Sequence, residues 1–200
     1  MIKTPSEKDE IYLANVAKIG GSTENIQYIE NVLSEEEHKI LLEYAKNAQS
    51  WKEQPWKAIT IESENLPEYI LEMLNRIFQL VHKRSVELYD VAINPFHKSA
   101  LHIVKFVEGF NLGPHVDTLS SEGNHIASVY YLNDDYTGGE INFPDHKLKI
   151  KPKPNSLIIF PGNENYLHEV RKIVGNDRYS SAMWLQFTGS TFNKKAEWYN

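Results

Sequence analysis

After Pro95 the chain breaks into short runs rich in Val, Ile, Tyr, Phe and Trp, each closed off by Gly, Asn, Asp or Pro. β-Branched and aromatic residues suit a pleated surface, and the intervening turn formers stop any run before a helix can propagate. Strands are expected near residues 101–107, 113–117, 125–133, 139–143, 147–151, 156–160, 166–173 and 178–187. So many short strands must close into a sandwich or barrel to protect their edges. Upstream the period changes. Ser34 followed by Glu35-Glu36-Glu37 reads as an N-cap with a capping box to Glu37, opening a helix with Ile40, Leu41, Tyr44 and Ala45 on one face. A second helix is expected from Leu66 to Tyr89, with Pro67 in its first turn and Ile70, Met73, Leu74, Ile77, Phe78 and Val81 at helical spacing. Residues 1–27, polar and punctuated by Gly20-Gly21-Ser22, read as an arm or a small edge strand. The fold class expected is α+β, mainly β: a double-stranded β-helix, or jelly roll, with N-terminal helices packed on one face. At 200 residues the chain is expected to be one domain, with residues 1–94 as arm and supporting helices and 95–200 as the jelly-roll core.

Charge and composition narrow the function. A formal net charge of −6 gives no basic footprint for a phosphate backbone, so nucleic acid is not expected as a partner. The chain has no cysteine, which removes disulfides, thiolate metal sites and cysteine nucleophiles together. There is no apolar run of about 18 residues, so no membrane span is expected. The start, MIKTPSEKDEIYLAN, lacks the apolar stretch of a signal peptide, and a cytoplasmic location is the expectation.

Chemistry gathers around His115-Val116-Asp117. Residues two apart in a strand share a face, so this imidazole and carboxylate are expected to project together. A single H-x-D triplet is weak by itself; His168, 51 residues later in a predicted strand, supplies the second imidazole. Two His and one carboxylate on one face of a metal leave positions open, the donor set associated with non-haem Fe(II) oxygenases. Val174-Gly175-Asn176-Asp177 reads as a turn. A hairpin centred there sets His168 opposite Ala182 and puts Arg178 four residues, about 13 Å, along the same face. The planar guanidinium fork suits a carboxylate. Tyr131 offers a phenolic donor to that carboxylate, Ser180 and Ala182 leave room for a ligand, and Trp184 is placed to wall the pocket. Tyr131 and Trp184 are equally readable as core aromatics.

The segments FVEGFNLGPHVD, SVYYLND, GGEINFP, KPKPNSLIIFPG and HEVRKIVGNDRYSSAMW resemble the catalytic core of the prolyl 4-hydroxylase-like branch of the 2-oxoglutarate/Fe(II) oxygenases. YIENVLSEEEHKILLEYA is similar, less specifically, to the helix leading into that core. The resemblance implies Fe(II) held by His115, Asp117 and His168. It implies 2-oxoglutarate with its far carboxylate on Arg178, where many members use Lys, and on Tyr131. O₂ is the implied oxidant, with ascorbate as a reductant. The implied reaction decarboxylates 2-oxoglutarate to succinate and CO₂ and hydroxylates an unactivated C–H bond, here of a prolyl residue in a peptide or protein. Three positions depart from the family pattern: Phe106 in place of Tyr, Leu112 in place of an aromatic, and Arg171-Lys172 where Pro is frequent.

Competing readings stay open. The same chemistry on a free amino acid or other small molecule is one, and a metal-binding jelly roll without oxygenase activity is another. His38, His82, His97, His102, His125 and His146 read as surface or hydrogen-bonded residues. Gly138-Gly139 reads as a turn or bulge, Lys147 to Lys153 as a solvated or protected edge strand, and Trp51 and Trp56 as a substrate rim or a structural cover.

Overall fold

A strand covered on both faces must be apolar at nearly every position, and Ser156-Leu157-Ile158-Ile159-Phe160-Pro161 is buried throughout. The computed structural model, which describes residues 6–54, 58–95 and 101–188, shows what covers it. The N-terminal part comprises α1 (Glu7–Ile19), β1 (Gln27–Glu30), α2 (Glu35–Asn47), β2 (Lys52–Glu53), β3 (Ile59–Glu62) and α3 (Glu68–Tyr89). There follow β4 (His102–Phe106), β5 (Leu112–His115), β6 (Ile126–Tyr131), β7 (Thr137–Gly138), β8 (Ile141–Phe143) and β9 (Leu148–Ile150). β10 (Ser156–Pro161), β11 (His168–Val170), β12 (Ile173–Val174) and β13 (Arg178–Leu185) are the last elements among the described residues.

The strands form a major sheet of seven, ordered β1-β10-β6-β13-β4-β3-β2, and a minor sheet of four, ordered β5-β11-β8-β9. All pairings are antiparallel, and a short β12-β7 ribbon stands beside them. This is the jelly roll the sequence led us to expect. Period-two alternation distributes the major sheet's side chains between two cores. Leu157, Ile159, Tyr130, Met183 and Leu185 point outward and pack with Leu41 of α2 and with Ile70, Leu74, Ile77 and Phe78 of α3. Ile158, Phe160, Ala127 and Tyr131 point inward against Ile141 and Phe143 of the minor sheet. Among the described residues no helix is long and apolar enough to cross a membrane.

The helices follow from their ends. Ser34 Oγ accepts the Glu37 N–H at 3.3 Å while Glu37 accepts the Ser34 N–H at 3.2 Å, the capping box expected for α2. α3 starts directly after Pro67 and stops at Asp90, which takes the left-handed conformation at φ 49°. Residues 1–27 need correction. Within the described part, residues 6–26 form neither an arm nor an edge strand: Ser6 and Asp9 make a second capping box, and a 13-residue helix follows. Its apolar stripe is reduced to Tyr12 and Val16, too sparse for periodicity to reveal. β1, β2 and β3 also widen the major sheet beyond the expected strands. The expected strand at 166–173 is broken into a 3₁₀ turn at Glu164–Tyr166, β11 and β12. Gly138 and Gly139, at φ 73° and 66°, delay β8 to Ile141. The lysine-rich stretch supplies β9, the edge of the minor sheet, as a protected edge would.

The helix layer is therefore a main source of stability. Leu74 is fully buried, and Leu74→Ala is expected to cost roughly 2–5 kcal/mol. Chemical unfolding of the two proteins would show a lower midpoint at similar slope.

Candidate functional site

β11 is the strand that creates the site, because it must pair with β5 on one side and β8 on the other to complete the minor sheet. That pairing sets His168 directly across from His115. The imidazole centroids are 4.2 Å apart. His115 Nδ1 lies 2.8 Å from the Gly113 carbonyl, and His168 Nδ1 lies 3.0 Å from the Tyr166 carbonyl. A carbonyl only accepts, so both Nδ1 atoms carry the proton and both Nε2 lone pairs are left for a ligand. Phe160 and Phe143 pack against the His168 ring at 4.7 and 5.7 Å and hold its plane.

Asp117 arrives differently from expected. β5 ends at His115, so the carboxylate is not a strand neighbour of the imidazole. It sits just past the strand end, where the Asp117 and Thr118 N–H groups both donate to the Gly162 carbonyl at 2.9 Å. Gly162 fits there because it lacks a side chain: a Cβ would stand 2.1 Å from the Asn124 carbonyl oxygen and 3.0 Å from Asp117 Cβ. One donor atom from each of His115, Asp117 and His168 falls within 4.8 Å of the others. Asp117 Oδ2 is buried without a hydrogen-bond partner and lies 3.8 Å from His168 Nε2, too far to bond it. Buried acceptors are rarely left this way, and a cation among the three would satisfy them all. The donor set suits Fe(II) and also Mn, Co or Ni. Without a cation the electrostatics are adverse. Burial pushes the Asp117 carboxyl up to about 6, against the lesser influences of His115 and the Trp184 indole. Burial, with His115 beside it, pushes His168 down to about 4.

The same cavity has a second unsatisfied end. His115, Asp117 and His168 line it with Tyr131, Arg178 and Trp184, and it holds about 610 Å³ of empty space including its mouth. The hairpin expected through Gly175 is not formed. The chain crosses there from the β12-β7 ribbon to the major sheet, so His168 faces His115 rather than Ala182, and Arg178 pairs with Phe106 on β4. Arg178 still projects inward with Ser180, Ala182 and Trp184, because all four share one face of β13. Its side chain is 2% exposed, and its Nε and Nη1 have no hydrogen-bond partner. Among the described residues no carboxylate pairs with it. Its guanidinium carbon lies 4.9 Å from the Tyr131 ring and 5.3 Å from the Phe106 ring. The Tyr131 hydroxyl is buried and unpartnered as well. An unpaired buried cation costs several kcal/mol, and an anion bound at this end would offset that cost.

Some residues singled out in the sequence lie elsewhere. Trp51 packs on Tyr179 at 6.0 Å with Lys105 over its ring, outside the cavity, and is a structural cover. His102 stacks on Trp184 at 5.8 Å and is not among the residues lining the cavity. Trp56 and His97 lie outside the described residues. Sequence reasoning missed the apolar wall of Val104, Leu112, Ile141 and Val170. Alternation along β4 and β8 carried that information, but only once the inward face was known.

Two outcomes follow. A metal must displace the Asp117 proton below about pH 6. Divalent-metal affinity, measured by titration calorimetry, is therefore expected to fall about tenfold per pH unit below that point, and more steeply once His168 protonates near 4. Arg178→Met, which removes the unpaired charge, is expected to raise ligand-free unfolding stability by roughly 1–3 kcal/mol. Denaturant titration would show this as a higher midpoint.

Residues 101–186 match the family model of the 2OG-Fe(II) oxygenase superfamily. No curated protein matches the chain by sequence. Solved structures do match in fold. A prolyl-4-hydroxylase from Pseudomonas putida is 17% identical with a TM-score of 0.68, over 88% of this chain and 99% of that one. A prolyl hydroxylase from Trichoplax adhaerens, in complex with a hypoxia inducible factor oxygen degradation domain peptide fragment, is 15% identical with a TM-score of 0.68, over 90% and 91%. The viral collagen prolyl hydroxylase of Paramecium Bursaria Chlorella virus-1, solved as a 2OG complex, is 17% identical with a TM-score of 0.63, over 82% and 97%. Residues 101–186 thus resemble the 2OG-Fe(II) oxygenase superfamily, and the chain shares its fold with prolyl hydroxylases.

Proposed function

We propose that this dioxygenase hydroxylates a prolyl residue in a peptide or protein, decarboxylating 2-oxoglutarate to succinate as it does so. The observation that carries the reading is the buried, unpaired Arg178 in the same cavity as the two imidazoles and one carboxylate. A jelly roll that only binds metal has no use for a guanidinium held without a counter-ion.

His115, Asp117 and His168 would hold Fe(II), with Nε2 of each imidazole aimed by the carbonyl on its Nδ1. Arg178 and the Tyr131 hydroxyl would take the far carboxylate of 2-oxoglutarate, the first by charge and the second by donating its proton. Burial and the aromatic faces of Phe106 and Tyr131 keep water from competing for the guanidinium. The small Ser180 and Ala182 leave volume between the two ends, and Trp184 closes one side. Bound Fe(II), with 2-oxoglutarate and O₂, supplies the oxidising power to break a C–H bond; the chain contributes position and a dry cavity. The prolyl substrate is supported by the prolyl hydroxylase folds of the similar structures, one of them carrying a peptide.

The full chain with Fe(II), 2-oxoglutarate and ascorbate, offered proline-rich peptides, is expected to form succinate and add one oxygen per peptide by mass spectrometry. Absence of succinate under every substrate would remove the oxygenase reading. Succinate with oxygen added only to free amino acids or other small molecules would remove the prolyl one. Arg178→Ala is expected to raise KM for 2-oxoglutarate about 30- to 150-fold, the loss of roughly 2–3 kcal/mol of charge-assisted hydrogen bonding.

A further inference from the structure

The N-terminal segment that precedes β1 lies far in sequence from the metal-binding cluster, yet it grips both stretches that carry the late ligands. Tyr166, two residues before His168, is buried and works at both ends. Its carbonyl accepts the His168 Nδ1–H at 3.0 Å. Its hydroxyl accepts Asn25 Nδ2–H at 2.7 Å and shares its own proton between the carbonyls of Gly20 at 3.0 Å and Ser22 at 3.1 Å. Asn25 also donates to the Ile19 carbonyl at the end of α1, at 2.9 Å. The Asn25 carbonyl in turn accepts the Tyr89 hydroxyl from α3 at 2.9 Å. His146 stacks on the Tyr166 ring, 4.9 Å away and 15° from parallel, and is tied to Thr23 Oγ1 and the Asn165 carbonyl. The stretch following Asp117 is held from the same side. Ser121 Oγ donates to Asp9 Oδ1 at 2.7 Å, and the Tyr12 ring lies 5.0 Å from that of His125.

We infer that residues 6–25 form a clamp that positions the metal ligands, with Tyr166 and Asn25 as its positioning residues for His168. The inference rests on the reading that His115, Asp117 and His168 bind a metal. The physical reason is leverage. The proton on His168 Nδ1 points wherever the Tyr166 carbonyl points, and the Tyr166 hydroxyl fixes how that peptide unit is turned. A ligand set must be held within about half an ångström and 10–20° to bind well, and partners one shell out from a metal commonly carry about 10- to 100-fold of its affinity. Tyr166→Phe removes one hydroxyl and leaves the carbonyl in place, so it loosens orientation without deleting the anchor.

The test is a Co(II) titration of the full chain, read by calorimetry and by visible ligand-field absorption, well below the melting temperature. Tyr166→Phe is expected to weaken Co(II) binding about tenfold and to change the absorption of the bound ion. Asn25→Ala, which removes the other side of the same bond, is expected to do likewise and serves if the first variant is insoluble. Ile77→Val, a buried change in the helix layer, is expected to lower the melting temperature and leave both Co(II) readouts unchanged. Wild-type affinity and an unaltered spectrum in Tyr166→Phe or Asn25→Ala, whatever their melting temperatures, would overturn the clamp alone. A wild-type chain that takes up no Co(II) would overturn the metal-centre reading and the clamp with it.

Discussion

His168 meets His115 because β11 has no other place in the fold: β5 and β8 each need it as a partner, and its register on β5 is set by that pairing. A one-residue slip would turn the imidazole out of the cavity and its neighbours in, since side chains alternate strictly across a strand. The other ligands depend on the same arrangement. Asp117 is aimed by two N–H bonds to Gly162, which lies just beyond β10, the inner strand of the opposite sheet. The cluster of His115, Asp117 and His168 is therefore tied to both sheets, and any loosening between them would be felt as lost geometry among the three. This explains why so much of the chain is devoted to the outer face of the major sheet. Three helices cover it, and their apolar contacts keep the sheet rigid behind Arg178 and Tyr131.

The cavity keeps its stability cost at both ends. One end crowds two imidazoles and a carboxylate, with the carboxyl raised and one imidazole lowered by burial. The other buries a guanidinium with no acid beside it. Neither arrangement favours the empty fold; each is relieved by a ligand of opposite charge, a cation at one end and a carboxylate at the other. A diacid that reaches from the metal to the guanidinium would satisfy both at once. The fit between two complementary defects in one space is stronger than either taken singly, because a lone buried Arg or a lone His pair has ordinary structural explanations.

Much of this was legible in the sequence, and the failures have identifiable causes. The strands of the jelly roll declared themselves because β-branched runs and turn residues act locally. α2 was marked by Ser34 and Glu37, and α3 by its long stripe from Ile70 to Val81. α1 escaped because only Tyr12 and Val16 are buried, although Ser6 and Asp9 gave the same capping signal as Ser34 and Glu37. That His115, Asp117, His168 and Arg178 belong together could be picked out by residue type and spacing. Their geometry could not, because a hairpin and a sheet crossover at Gly175 have the same turn chemistry and differ only in which partners the flanking strands find. Tyr166 was invisible for a related reason. Its partners, Gly20, Ser22 and Asn25, lie on the far side of the chain in sequence, and nothing local distinguishes such a tyrosine from a core aromatic.

If one cavity binds a metal through His115, Asp117 and His168 and a diacid through both that metal and Arg178, each ligand must report on the other. Anaerobic absorption spectroscopy tests this directly. Fe(II) alone should leave the visible spectrum nearly blank. Adding 2-oxoglutarate should bring up a charge-transfer band that saturates at one equivalent of each, and that is absent from His168→Ala under the same conditions. A band of equal strength in His168→Ala, or none in the wild-type chain with both present, would rule out this metal-and-diacid site.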